Sequence, residues 1–149
     1  LIVHESKLPK NKGFAPVAYQ VLKNKKLIHL SLFEAVEKVD SGPIFLRDKF
    51  NLNGTELSEE LRKKQALGKL QLIKKFLLKY PKLTSKKQFG RGNFNKKRTP
   101  EDSKININKS IKSQFNLLRV SDNESYPCYF VHKKQKYILK IYKKNKYDN

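Results

Sequence analysis

Two short clusters in this chain carry side chains that can move protons or stabilise charge. The first is His4-Glu5-Ser6-Lys7-Leu8-Pro9, followed by Gly13 and Pro16. Leu1-Ile2-Val3 reads as a strand, so His4 stands at its carboxyl end, entering a loop shaped by Pro and Gly. Open α/β sheets place their ligands at such points. The second is Val39-Asp40-Ser41-Gly42-Pro43-Ile44, a carboxylate on a turn leading into a strand. An imidazole can stabilise a developing oxyanion, and a carboxylate can orient it or accept a proton. Taken singly, each cluster is weak: a lone His is more often structural, and Asp-Ser-Gly is common turn chemistry. His29 sits in an apolar strand as a packed or edge residue, and His132 abuts a basic hairpin as a solvated one. With three His and one Cys, none at ligand spacing, no zinc site is expected. No glycine-rich phosphate loop is present, so ATP is not implied.

The elements that must position these residues are legible in outline. Ala15 to Leu22 has helical spacing, Leu27 to Phe33 reads as a strand, and Pro43 to Leu52 as another. Glu34 to Gly42 connects these two strands and carries Asp40. The clearest helix runs from about Thr55 to Tyr80. Thr55 is its expected N-cap, Pro81 its stop, and Leu57, Leu61, Leu70, Ile73, Leu77 and Tyr80 its apolar face. Lys82 to Ser103 is rich in Lys, Asn, Gly and Ser and reads as a linker. Ser110 to Val120 then forms a short helix with Ile111, Phe115 and Leu118 on one face. Tyr129 to His132 and Tyr137 to Tyr142 form a hairpin about Lys133-Lys134-Gln135-Lys136. The fold class is α/β for the first part, with a small α+β piece at the end. The division is 1–81, a linker over 82–109, and 110–149.

Composition bounds the possibilities. The 149 residues carry a net charge of +21, which raises nucleic acid or an anionic membrane as partners. The charge is mostly Lys and is spread through every segment, with no Arg cluster or aromatic platform, so compositional bias is favoured over a dedicated polyanion site. A basic, non-catalytic nucleic-acid-binding module is the alternative from another class, and it predicts steeply salt-sensitive binding. The single cysteine, Cys128, excludes an internal disulfide and reads as a small buried hydrophobe. No run reaches the length of a membrane span and no signal peptide is visible, so no membrane partner and a cytoplasmic location are expected. There is no Met, and the first residues read as a strand already under way, so a preceding N-terminal segment is expected.

In order and spacing, His-x-Ser-x-Leu-Pro at 4–9, Gly-x-x-Pro at 13–16 and Asp-x-Gly-x-Ile at 40–44 resemble formyltransferases that use 10-formyltetrahydrofolate. The resemblance runs through the long helix to Pro81. It resumes at Lys97-Arg98-Thr99-Pro100-Glu101-Asp102-Ser103, similar to the linker of amino-sugar formyltransferases, and continues through Asn116-Leu117-Leu118-Arg119-Val120 and Tyr126-Pro127. It implies the C-terminal half of a Rossmann-like sheet, with 10-formyltetrahydrofolate as formyl donor. His4 would stabilise the tetrahedral oxyanion, and Asp40 would orient the imidazole and assist removal of the amine proton. The backbone of the segment holding Val36, Glu37 and Val39 would hold the pterin ring. Such enzymes usually carry an Asn two residues before the His; here that position is Ile2. The preceding segment would supply much of the folate pocket, so the isolated 149-residue chain is expected to transfer no formyl group. A nucleotide-linked amino sugar is the favoured acceptor, methionyl-tRNA the second.

Overall fold

The structure is a computed structural model that describes residues 1–144. Its main sheet has three antiparallel strands in the order β1-β3-β4: β1 (Ile2–His4), β3 (Leu27–Phe33) and β4 (Ile44–Asn51). Central β3 places His4 opposite Ser31, and Phe33 opposite both Ile2 and Ile44, with a register shift between Leu32 and Phe33. Between β1 and β3 the chain makes the two-residue strand β2 (Lys12–Gly13) and helix α1 (Pro16–Leu22). Pro16 opens α1, where a missing amide costs nothing. These elements fall where the sequence puts them, and the mixed α/β class holds.

The long helix α2 (Ser58–Lys79) departs from expectation at its start and on its buried face. Thr55 is not the cap: its amide and hydroxyl both donate to Asn53 Oδ1 at 2.8 Å. The Asn53 and Gly54 amides are taken by the Glu56 carboxylate. The chain therefore completes a turn before the helix begins, and Leu57 is the cap residue, its amide donating to Glu60 Oε2 at 2.8 Å. The C-terminal end is as expected, with Tyr80 as the cap before Pro81.

The buried stripe is Leu61, Gly68, Leu72 and Phe76, while Leu70, Leu77 and Tyr80 are each more than 60% exposed. Gly68 explains the choice. A Cβ there would stand 3.0 Å from the side chains of both Leu30 and Phe50, so α2 lies against the sheet at this point. Apolar residues occupy both sides of the helix, and close approach at a glycine decides which side faces β3 and β4. Leu72 and Phe76 then pack with Leu30 and Leu32.

Residues 82–109 are no free tether. Lys86 exchanges backbone hydrogen bonds with Ile44 (2.8 and 2.9 Å), and β5 (Phe94–Asn95) pairs in parallel with β2. A short 3-10 turn, Pro100–Ser103, follows. The last piece holds α3 (Ile111–Val120), capped by Ser110, and a hairpin of β6 (Cys128–His132) and β7 (Gln135–Leu139). The turn needs only Lys133 and Lys134, both at positive φ, so β7 begins at Gln135 rather than Tyr137. Leu118 and Cys128 are buried with Ile105, whereas Ile111 of the expected face is exposed in the first turn of α3. Burial pushes the Cys128 thiol up from its ordinary pKa. Arg119, 2% exposed, reaches back to the Glu56 backbone oxygen (3.2 Å) and carboxylate (3.5 Å), joining this piece to the start of α2.

Candidate active site

The loop after β1 is held from four sides. Ser31 on β3 is fully buried; its hydroxyl donates to the Ser6 carbonyl (2.7 Å) and accepts from the Leu8 amide (3.4 Å). Gln20 of α1 donates to the Glu5 carbonyl at 2.7 Å. The buried Glu5 carboxylate meets Gln65 and Lys69 of α2. Arg47 of β4 donates to the Leu8 carbonyl at 2.9 Å. These anchors hold the loop that carries His4 from every neighbouring element, although the buried Ser6 hydroxyl itself has no hydrogen-bond partner among the described residues.

Asp40 is brought to the same place by the loop between β3 and β4. It adopts a left-handed backbone conformation (φ 49°), which Asp tolerates better than most residues. Gly42 behind it has no alternative: a Cβ there would stand 1.9 Å from the Glu34 carbonyl oxygen. The Gln88 side-chain amide donates to the carbonyls of Asp40 (2.8 Å) and Gly42 (2.9 Å), pinning the turn from residues expected to be a mere linker.

His4 Nδ1 faces Asp40 Oδ2 at 3.6 Å, and both side chains are about nine-tenths buried. His4 Nε2 lies 2.7 Å from the Asn11 carbonyl oxygen. A carbonyl only accepts, so Nε2–H donates to it and Nδ1 turns towards the carboxylate. Asp40 Oδ2 also accepts from the Gly13 amide at 2.7 Å. Gly13 suits this role doubly: its φ is +83°, and a Cβ would meet the Asn95 carbonyl at 2.7 Å. The result is an imidazole and a carboxylate, oriented separately by backbone groups and largely shielded from water. Such a pair can donate a hydrogen bond to an oxyanion and receive a proton from a nucleophile.

The structure thus brings His4 and Asp40 together. Val36, Glu37 and Val39 stay on the exposed part of Asp40's loop. Ile2 pairs with Phe33 and offers no donor from its side chain. Reading the sequence missed Lys12, whose ammonium donates to Ser41 Oγ at 2.7 Å. Burial and nearby Lys38 hold its pKa below the ordinary lysine value, with Asp40 opposing them. It also missed Gln88 and Asn95; the buried Asn95 Nδ2 has no hydrogen-bond partner among the described residues. A run of Lys and Asn in a solvated-looking stretch gave no local signal for any of these.

No protein-family model matches the chain. It is similar to a methionyl-tRNA formyltransferase of Thermodesulfovibrio yellowstonii, with 30% identity over 128 residues, covering 85% of this chain and 41% of the relative. The corresponding enzyme of Malacoplasma penetrans is 27% identical over 155 residues, covering 99% of this chain and 48% of the relative. Among solved structures, methionyl-tRNA formyltransferase from Clostridium thermocellum superposes with a TM-score of 0.76 at 21% identity, covering 98% and 63% of the two chains. A 4-N formyltransferase from Francisella tularensis gives 0.77 at 19%, covering 96% and 62%. An N-formyltransferase from Helicobacter canadensis, in complex with folinic acid and dTDP-3-aminofucose, gives 0.70 at 22%, covering 89% and 50%. The chain is similar to formyltransferases over most of its own length, shares their fold, and spans less than half the length of the curated relatives it matches.

Proposed function

We propose that the protein containing this chain transfers a formyl group from 10-formyltetrahydrofolate to a primary amine. The observation that carries the proposal is the buried pair His4 and Asp40, placed by two separately anchored loops in a chain similar to formyltransferases. The acceptor nitrogen attacks the formyl carbon, forming a C–N bond and a tetrahedral oxyanion. His4 Nε2–H exchanges its bond to the Asn11 carbonyl for one to that oxygen, where the developing charge makes the bond stronger. Asp40 takes the proton of the attacking amine, directly or through water. The bond from the formyl carbon to N10 then breaks, and the proton passes to N10 of the departing tetrahydrofolate. The backbone around Val36, Glu37 and Val39 is the proposed edge for the pterin ring, and cytoplasm the proposed location.

The curated relatives favour methionyl-tRNA as the acceptor. A nucleotide-linked amino sugar is the second reading, supported by the Arg98-Thr99-Pro100-Glu101-Asp102-Ser103 resemblance and by the neighbour that holds dTDP-3-aminofucose. The test is mass-spectrometric detection of formylated acceptor, using the intact gene product supplied with each amine and 10-formyltetrahydrofolate. His4→Ala and Asp40→Ala are each expected to lower kcat by roughly 10²–10⁴ without lowering the melting temperature by more than a few degrees. Undiminished turnover in both variants would remove the pair from the chemistry.

A further inference from the structure

Lys12 is a buried cation with no counter-ion in contact. It is 9% exposed, and lysine is seldom buried without a charged partner. Its ammonium takes part in none of the salt bridges among the described residues. Nζ donates instead to a neutral hydroxyl, Ser41 Oγ, at 2.7 Å, and stands 5.9 Å from the centroid of the Phe94 ring. The charges that act on it are Lys38, which lowers its pKa together with burial, and Asp40, which opposes them from beyond salt-bridge distance. Desolvating this charge costs stability, and no ion pair offsets it. A cation held so beside an imidazole and a carboxylate points to a role in their chemistry.

Its position defines that role. Lys12 belongs to the loop that carries His4, and Ser41 to the loop that carries Asp40. Two hydrogen bonds cross between these loops among the described residues, and they start from consecutive positions. The Gly13 amide holds the Asp40 carboxylate, and the Lys12 ammonium holds the next residue, Ser41. The Ser41 hydroxyl passes the contact on, donating to the Val39 carbonyl at 2.9 Å. Accepting from an ammonium and donating to a carbonyl fixes a hydroxyl at both ends. The residues on either side of Asp40 are thereby tied to one cation, through a bond that charge makes stronger than its neutral counterpart. Asp40 needs such support, because its positive φ of 49° persists only where the surroundings impose it.

We infer that Lys12 is a positioning residue for formyl transfer: bridging through Ser41, its ammonium holds the turn that aims Asp40 at the reacting amine and sets the Val39 edge for the pterin ring. The inference rests on the formyl-transfer reading for its purpose, whereas the lock between the two loops stands apart from it. Loosening the lock misplaces the proton acceptor and the edge that meets the donor, but leaves the acceptor's own contacts alone.

Lys12→Met, Ser41→Ala, the double variant and Lys12→Arg are made in the intact gene product. Formyl transfer is measured with donor and acceptor varied separately, and amide hydrogen exchange is followed over residues 38–42. Lys12→Met and Ser41→Ala should each lower kcat/KM for 10-formyltetrahydrofolate by about tenfold or more, with the acceptor KM within about twofold of the parent. The double variant should fall no more than about twofold below the poorer single one, because both substitutions break one contact. Lys12→Arg, which keeps the charge and its N–H donors, should recover most of the loss. The Ser41 amide, bonded to the Lys38 carbonyl at 3.2 Å, should exchange about tenfold faster in both single variants. Parent kinetics in Ser41→Ala, multiplied losses in the double variant, or donor and acceptor KM rising together would each overturn the inference. An Arg variant no better than Lys12→Met assigns the role to the stem rather than the charge, and overturns it as well. If Lys12→Met lowers the melting temperature sharply, Ser41→Ala carries the test, since its half-buried side chain loses a single atom. Faster exchange without any formyl transfer by the parent would remove the reaction and leave the lock; unchanged exchange in both single variants removes the lock itself.

Discussion

Replacing Glu56 by Ala should unfold the protein far more readily than its position just ahead of a helix suggests. The Glu56 side chain is 2% exposed and accepts hydrogen bonds from the Asn53 amide (2.7 Å), the Gly54 amide (3.0 Å), Lys64 Nζ (2.6 Å) and Arg119 Nη1 (3.5 Å). Lys64 can turn to water once the carboxylate is gone, but the Arg119 guanidinium is buried. It keeps only the Glu56 carbonyl and Asn116 Oδ1 as partners. Stranding one charge of a buried pair costs roughly 3–5 kcal/mol, and the two surviving bonds place this case near 3. For a chain of this size that lowers Tm by roughly 6–12 °C. Burial raises the pKa of the Glu56 carboxyl, but hydrogen bonds from Lys64 and the local amides outweigh it and bring it from 4.5 to about 2. The ionised form is therefore favoured in the folded state. Its contribution, on the order of 3 kcal/mol, is complete above about pH 4.5 and fades as the pH falls towards 2. Urea melts followed by circular dichroism between pH 7 and 3 measure both effects. A cost below about 1 kcal/mol for Glu56→Ala, or the same loss of stability in acid for Glu56→Gln as for the parent, would refute the reasoning.

Leu72→Ala, at a fully buried position, should cost roughly 2–5 kcal/mol, whereas Leu70→Ala should change stability by no more than about 0.5 kcal/mol; equal costs by chemical denaturation would contradict the buried face assigned to α2. Gly42→Ala should displace the Asp40 turn, because the new Cβ has the Glu34 carbonyl in its way, and should cost more than about 2 kcal/mol. Its amide resonances from Glu34 to Gly42 should shift together, and an unperturbed spectrum would show that the turn accommodates a side chain.

The strands and the loops that carry His4 and Asp40 were readable because their signals are local. β3 is mostly apolar, interrupted only by His29 and Ser31, and His4 and Asp40 stand beside Pro and Gly that punctuate the chain. The buried face of α2 was not readable, since Leu70 and Leu77 are as apolar as Leu72 and Phe76, and only contact of Gly68 with Leu30 and Phe50 separates them. Thr55 looked like a cap because its neighbours' hydrogen bonds to Glu56 cannot be seen in composition. The site's outer supports were hidden for the same reason. Gln88 lies 48 residues from Asp40 and Asn95 lies 82 from Gly13; their pairing is long-range, and nothing in a polar stretch announces it.

The strap over residues 82–109 has a mechanical consequence. Its middle grips Asp40 and Gly42 through Gln88, and Gly13 through β5, while its far end runs into the piece that carries α3. Any movement of that piece pulls on the same backbone that sets the separation of His4 and Asp40. The spacing of His4 and Asp40 and the placement of the C-terminal piece are thus set by one continuous stretch of chain, so a cut or insertion within it would be felt at both ends.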